Sequence, residues 1–328
     1  MSTATALTVR TIAPHERAAV LDLLDAWISR EFFARYFEHD PAFRDDLCFV
    51  AADGDRLVST LQVFAKDVRL GGTTVRVGGI GNVYTAPEYR EQGTASQLLT
   101  RAIAAMDALG FDLSLLFAVR LAFYGRHGWV SHPRQFVFID AGTVADSSGV
   151  RIEPFDPERD LAEVMALYDA YNGSLAGTVV RDRRYWLGQL RYAGNFSEDF
   201  LVARAGDRIV AYARATPLYD LYVVMEHGFV PSYDAALVDV ICRLHGHQGR
   251  ALPGTLTQLA TEPRIVAALG ARGLSLRTVD DVFWMWRVIS PTRLAAKLGI
   301  AVTEVERDDF LARVLPSDRS VFWLSDRF

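Results

Sequence analysis

The chain has 328 residues, half of them apolar and 23% charged, which suits two soluble globular units with sizeable cores. A formal net charge of −5 excludes the broad basic face of a nucleic-acid-binding protein and leans weakly toward cationic partners. No apolar run reaches membrane-spanning length, residues 1–7 lack the charged start and apolar core of a secretory signal, and the two cysteines, Cys48 and Cys242, sit in apolar strand-like runs as buried free thiols. A cytoplasmic protein without a metal cluster is expected.

Taken in order, Leu7-Thr8-Val9-Arg10 reads as a first strand. Pro14 opens an amphipathic helix with Val20, Leu21, Leu24 and Trp27 at helical spacing. The next segment is unusually aromatic: Trp27, Phe32, Phe33, Tyr36, Phe37 and Phe43, accompanied by Glu31, Glu38, Asp40, Asp45 and Asp46. Such rings either pack a core or wall a pocket, and a pocket with carboxylates beside aromatic faces suits an ammonium group. Residues 47–51 form a strand that Asp53-Gly54-Asp55 turns back into residues 57–64, and Gly71-Gly72 turns a second hairpin.

Gly78, Gly79 and Gly81 lie inside the strand that ends at Thr85. Glycine within a strand marks a bulge or a close backbone approach. A bulge here would splay two strands and leave N–H groups facing a ligand. The strand runs through a loop carrying Arg90, Gly93 and Ala95 into an amphipathic helix that stops at Leu109-Gly110. A strand entering a helix through a glycine turn points several N–H groups at one spot, and the helix dipole makes that spot suit a phosphate. Residues 111–118 read as a buried strand, 121–127 as a short helix, 136–139 as the last strand of the first unit and 141–149 as a linker.

Arg90-Glu91-Gln92-Gly93-Thr94-Ala95 resembles the Arg/Gln-x-x-Gly-x-Gly/Ala signature of the GNAT superfamily of acetyl-CoA-dependent N-acyltransferases, in the strand-before, helix-after context that gives such a motif meaning. Pro87-Glu88-Tyr89 and Phe123-Tyr124-Gly125-Arg126-His127-Gly128-Trp129 also resemble that family, and the likeness covers about residues 8–140. The resemblance implies acetyl-CoA as cosubstrate, no metal, and direct attack by a primary amine of a small molecule or peptide in a ternary complex. Arg90, Glu91, Gln92, Gly93, Thr94, Ala95 and Ser96 would hold the diphosphate. Val83, Tyr84 and Thr85 would bind the pantetheine and polarise the thioester carbonyl. Tyr124 would be the acid for the leaving thiolate. Trp27, Glu31, Phe32 and Tyr36 would wall the acceptor pocket. The base stays open among Glu31, Glu38, His127 and the C-terminal carboxylate of Phe328.

The pattern then repeats. Residues 201–210 match 49–58 without a gap, around Gly206-Asp207 and Gly54-Asp55. The second copy has no Arg-x-x-Gly-x-Ala after Pro231; a helix over 235–244 starts from Ser232-Tyr233-Asp234 instead, so no cofactor is expected there. The tandem order resembles the enhanced intracellular survival family of acetyltransferases, whose members add a sterol-carrier-like domain and for which the C-terminal carboxylate is the base implied. Here residues 291–328 are too few for that domain, and the run 320–328 is expected to dock as a strand-like segment. The expected fold is α/β (α+β): two tandem GNAT-like units, each a mixed, mostly antiparallel twisted sheet flanked by helices. Residues 1–145 form the catalytic unit, 150–290 the degenerate one and 291–328 an extension docked on the body. A non-catalytic CoA or acyl-CoA sensor is the alternative. A longer acyl donor stays open because Phe117 and Ala118 do not set the pocket depth, and a homo-oligomer is left open too.

Overall fold

The computed structural model describes residues 7–142, 149–192, 198–218, 220–247 and 252–328; residues 1–6 and most of the expected linker, 143–148, lie outside the described residues. In chain order the front part comprises β1 (Thr8–Thr11), α1 (Arg17–Asp25), α2 (Arg30–His39), β2 (Cys48–Asp53), β3 (Arg56–Leu70), β4 (Thr73–Thr85), α3 (Thr94–Ala108), β5 (Leu113–Phe117), α4 (Leu121–Gly125), β6 (Val130–Ser131) and β7 (Arg134–Asp140). The rear part comprises β8 (Arg151–Pro154), α5 (Pro157–Asn172), α6 (Arg183–Tyr192), β9 (Asp199–Ala205), β10 (Arg208–Leu218), β11 (Leu221–Phe229), α7 (Asp234–His247), β12 (Gly254–Thr257), α8 (Pro263–Ala271), β13 (Leu276–Asp281) and β14 (Trp284–Val288). α9 (Pro291–Leu298), α10 (Val302–Val305) and α11 (Phe310–Val314) follow.

Two seven-stranded mixed sheets result, flanked by helices, as expected for a tandem fold. The first has the order β1-β2-β3-β4-β5-β14-β6 and the second β13-β7-β12-β11-β10-β9-β8. β1 to β4 run antiparallel and β5 returns parallel to β4; β8 to β11 run antiparallel and β12 returns parallel to β11. The helices cover the sheets for the ordinary reason. In α3, Leu98, Leu99, Ala102 and Met106 recur at three and four residues and bury one face, while Ser29 caps α2 by accepting from the Phe32 N–H.

Two strands change places between the copies. Residues 136–139, expected to close the first unit, lie in β7, between β12 and β13 of the second sheet. β14, from within the expected second unit, pairs with β5 from Trp284↔Phe117 to Val288↔Leu113 in the first sheet. Phe136, Val137, Phe138 and Ile139 are all buried; an unbroken apolar run says that both faces are covered, not which sheet covers them.

Two smaller expectations are corrected. Cys242 lies on helix α7, not in a strand, because the apolar run around it is buried all round; Cys48 is on β2, and burial pushes its thiol up to about 12. The run 320–328 is not a strand. Ser320 makes one isolated bridge to Ala176, and Leu324–Asp326 closes a 3₁₀ turn with the Asp326 N–H donating to the Trp323 carbonyl. Val321, Phe322, Trp323, Leu324, Ser325 and Asp326 are buried, wedged among the two sheets and α6 rather than added to a ladder.

Candidate active site

β4 builds the site. Thr60 pairs with Tyr84 and Gln62 with Gly81, so β4 carries one residue more than β3 over this stretch, and Asn82 takes the left-handed φ of 53°. That is the bulge the glycine-rich strand suggested. β4 and β5 pair from Val77↔Leu113 to Ile80↔Leu116 and then part, so no described strand pairs with that edge of β4 beyond Ile80. Val83, Tyr84 and Thr85 lie on this parted stretch.

The loop after it opens α3. Glu91 (φ 63°) and Gly93 (φ 80°) both adopt left-handed backbone, and Gly93 is the N-cap. A Cβ on Gly93 would meet nothing within 4 Å, so its conformation, rather than crowding, calls for glycine. The Arg90 Nε donates to the Thr85 carbonyl (3.0 Å) and the Gln92 amide to the Glu88 carbonyl (2.9 Å), which folds the loop back on the strand. Arg90, Glu91 and Gln92 are exposed, Thr94 is buried, and Ala95 and Ser96 are partly buried in the first turn. His127 reaches that turn: its Nε2 lies 3.1 Å from the Ser96 Oγ, and burial with Arg126 and Arg287 nearby lowers its pKa.

Tyr124 stands on α4, partly buried against the core that α3, β5 and Trp129 share. Its carbonyl accepts from the His127 and Trp129 N–H groups, and its hydroxyl bonds to no described residue. Burial pushes the phenol up to about 12, with Arg120 opposing.

Phe328 lies against the same strand. A Cβ on Gly79 would fall 2.3 Å from its ring, and one on Gly81 3.5 Å from its carboxyl carbon. The glycines therefore also serve a close approach, that of Phe328. The ring stacks on Phe64 (centroids 5.3 Å) and tilts against Phe117 (5.3 Å).

The aromatic stretch divides. Trp27 is 50% exposed and stacks on Tyr84, over which Arg90 sits. Glu31 and Glu38 are exposed. Phe32 leads inward to Tyr36, which is only 3% exposed and packs between Phe64 and Tyr192. Of the four acceptor-pocket candidates, Trp27 and Glu31 are open to solvent, Phe32 is half-buried and Tyr36 is core.

The sequence reading missed what holds the tail. Arg181, fully buried, forks onto Asp326 (2.7 and 3.0 Å) and onto Glu226 of β11 (2.7 and 3.1 Å). Asp326 also accepts from the Tyr185 hydroxyl (3.0 Å) and the Gln189 amide (3.1 Å), and buried Lys66 of β3 donates to Tyr185 (2.9 Å). Burial alone would raise the Glu226 pKa, but Arg181 and Arg214 outweigh it and hold the carboxylate below its ordinary value. Polar pairs inside apolar runs, Ser325-Asp326 and Glu226-His227, were the available signal.

Among the described residues no cluster of His, Cys, Asp and Glu is arranged for a metal, and no helix is long and apolar enough to cross a membrane. Residues 8–131 match the family model of the acetyltransferase (GNAT) domain, and this stretch, with its bulged strand, parting partner and loop-capped helix, is a GNAT acetyltransferase domain. The whole fold is that of tandem GNAT proteins. It is similar to a conserved protein of Enterococcus faecalis V583 (TM-score 0.68, 16% identity, 89% of this chain and 75% of that one). It is similar also to Eis1 from Mycobacterium abscessus (0.56, 14%, 86% and 74%), in keeping with the tandem resemblance. A third likeness is to Saccharomyces cerevisiae N-myristoyltransferase with bound myristoyl-CoA (0.60, 11%, 87% and 83%). No curated protein matches the sequence.

Proposed function

We propose that this chain is an acetyl-CoA-dependent N-acetyltransferase acting on a primary amine of a small molecule or peptide, with the chemistry in residues 1–145 completed by β14. One observation carries the reading: a single strand, β4, has an edge that no described strand pairs with beyond Ile80, leads into a left-handed, loop-capped helix start, and has Phe328 seated on its glycines. The family match over residues 8–131 supports the donor class.

The residues fit the donor. The space in front of Gly93 is open, and the first-turn N–H groups of α3 suit a diphosphate. Arg90 adds a cation at the loop. The edge at Val83, Tyr84 and Thr85 would pair with the pantetheine amides and present an N–H to the thioester oxygen as negative charge grows there. Trp27, open beside Tyr84, and the exposed Glu31 would face the ammonium of the acceptor.

The neutral amine attacks the thioester carbon; a C–N bond forms and the C–S bond breaks. Tyr124 gives its proton to the departing sulfur. The proton shed by the new amide nitrogen goes to the carboxylate of Phe328, directly or through water. A phenol with pKa near 12 stays protonated at every working pH, so its proton is in place, and the transfer is driven by the charge growing on the departing sulfur.

Tyr124→Phe tests this. We expect kcat to fall about a hundredfold or more while acetyl-CoA affinity is unchanged, as for loss of a general acid. Wild-type turnover by the variant would overturn the role. So would a basic limb of kcat between pH 8 and 10 that vanishes in the variant, since the phenol should not titrate there.

A further inference from the structure

We infer that the Phe328 ring, locked by the Arg181–Asp326 pair, is the stop that restricts the donor to short acyl groups; this rests on the reading of the β4–β5 parting as the thioester site. The acyl group of a thioester held on the β4 edge must point toward the place where β4 and β5 come together. That place is full. Phe328 lies over Gly79, with Phe64 stacked on one side and Phe117 on the other, and Phe322 and Trp284 close behind Phe117. No ångström-scale gap separates the ring from the strand, because even one added carbon at Gly79 would collide with it.

A stop must also stay in place, and a ring two residues beyond a well-packed turn could swing aside. Here the anchor is unusually firm. Asp326 receives four bonds from three side chains: two from Arg181, one from Tyr185 and one from Gln189; Nη2 of Arg181 is also shared with Ser325 and Glu226. A buried ion pair adds little net stability over an apolar packing of the same shape, but a forked guanidinium fixes direction. Only the torsions of Arg327 and Phe328 lie between that fixed point and the ring. The pocket depth that Phe117 and Ala118 leave undetermined is set by a residue more than two hundred positions later.

The experiment compares kcat/KM for acetyl-, butyryl-, hexanoyl- and octanoyl-CoA in the wild type and in Phe328→Ala, with the full chain and one acceptor amine. A terminal carboxylate remains in that variant, so the base is retained. The wild type should prefer acetyl to hexanoyl by at least tenfold, and Phe328→Ala should lower or reverse that ratio by tenfold or more. Asp326→Asn, which frees the ring without removing it, should move the ratio the same way by a smaller factor. A ratio insensitive to partial unfolding keeps the test valid if the variants are destabilised, and Phe328→Leu supplies a milder step if Phe328→Ala cannot be purified. Equal acyl-length ratios in the wild type and the Phe328 variants would overturn the stop. If the wild type releases CoA from none of the four donors with any amine, the transferase reading fails instead.

Discussion

The front and rear clefts are built to one plan and differ where a ligand would lie. Both have a hairpin with a bulged second strand: β4 slips against β3 near Asn82, and β11 slips against β10 at Met225. Both then part from a parallel neighbour, β4 from β5 after Ile80 and β11 from β12 after Val223. Both run on to a proline, Pro87 or Pro231. Counting back from those prolines sets Gly79 and Gly81 against Val223 and Met225, Asn82 against Glu226, and Val83 against His227. In front, glycines admit the Phe328 ring and a looped approach ends in Gly93. Behind, side chains fill the strand, α7 starts directly at Asp234, and a carboxylate sits in the helix's first turn, where an anion would otherwise be welcome. The rear cleft is still hollow, about 740 Å³ between α5 and the starts of α7 and α8, with Tyr171 bonded to Glu262 in its wall. The duplicate keeps the architecture without the glycine loop of the front, while Glu226, next to its bulge at Met225, holds the tail through Arg181 and Ser325.

Substitutions that make one copy resemble the other break this contrast. The largest effect is expected from Gly93→Val. It forces a β-branched residue into left-handed backbone and puts carbon where the diphosphate would lie, so acetyl-CoA affinity should fall about a hundredfold, about 3 kcal/mol, in calorimetric titration. Normal affinity would mean that the front loop is not the cradle. Next, Gly79→Val copies the rear residue Val223 and drives the Phe328 ring off the strand. We expect kcat to drop about tenfold, about 1.4 kcal/mol of barrier, with acetyl-CoA affinity within about twofold; an equal loss of both would show that the strand itself had moved.

The smallest effect belongs to the rear strand. Burial lowers the His227 pKa from 6.5 to about 3, with Glu226 opposing. Its folded-state pKa lies below the unfolded value, so the unfolded chain takes up the proton first. The associated stability is intact above pH 6.5 and is lost toward pH 3, by at most about 1.4 kcal/mol per unit. His227→Val, the front residue at that place, should flatten the decline in unfolding free energy between pH 6.5 and 5. An unchanged slope in urea melts would assign the acid sensitivity to other groups.

Local signals made much of this readable in the sequence. The hairpins at Gly54 and Gly71, the glycine-marked bulge, the loop into α3 and the echo of residues 49–58 in 201–210 each depend on neighbours in the chain, and each has its counterpart in the structure. What escaped depends on distant partners. The run 136–139 announces burial on both faces but not the sheet it joins. Tyr36 looks like a pocket wall until α6 brings Tyr192 against it. Arg181, Glu226 and Asp326 are ordinary charges in the sequence; their meaning comes from three separate segments meeting in the buried interior.

The exchange of β7 and β14 bears on how the molecule is made. The place between β5 and β6 stays empty on the ribosome until Val288 has been synthesised, so the front sheet cannot close while only its own segment has emerged. Its hydrophobic edge at Leu113–Phe117 has to wait through the birth of the whole rear half, and a nascent chain stalled in that interval would be a natural client for chaperones.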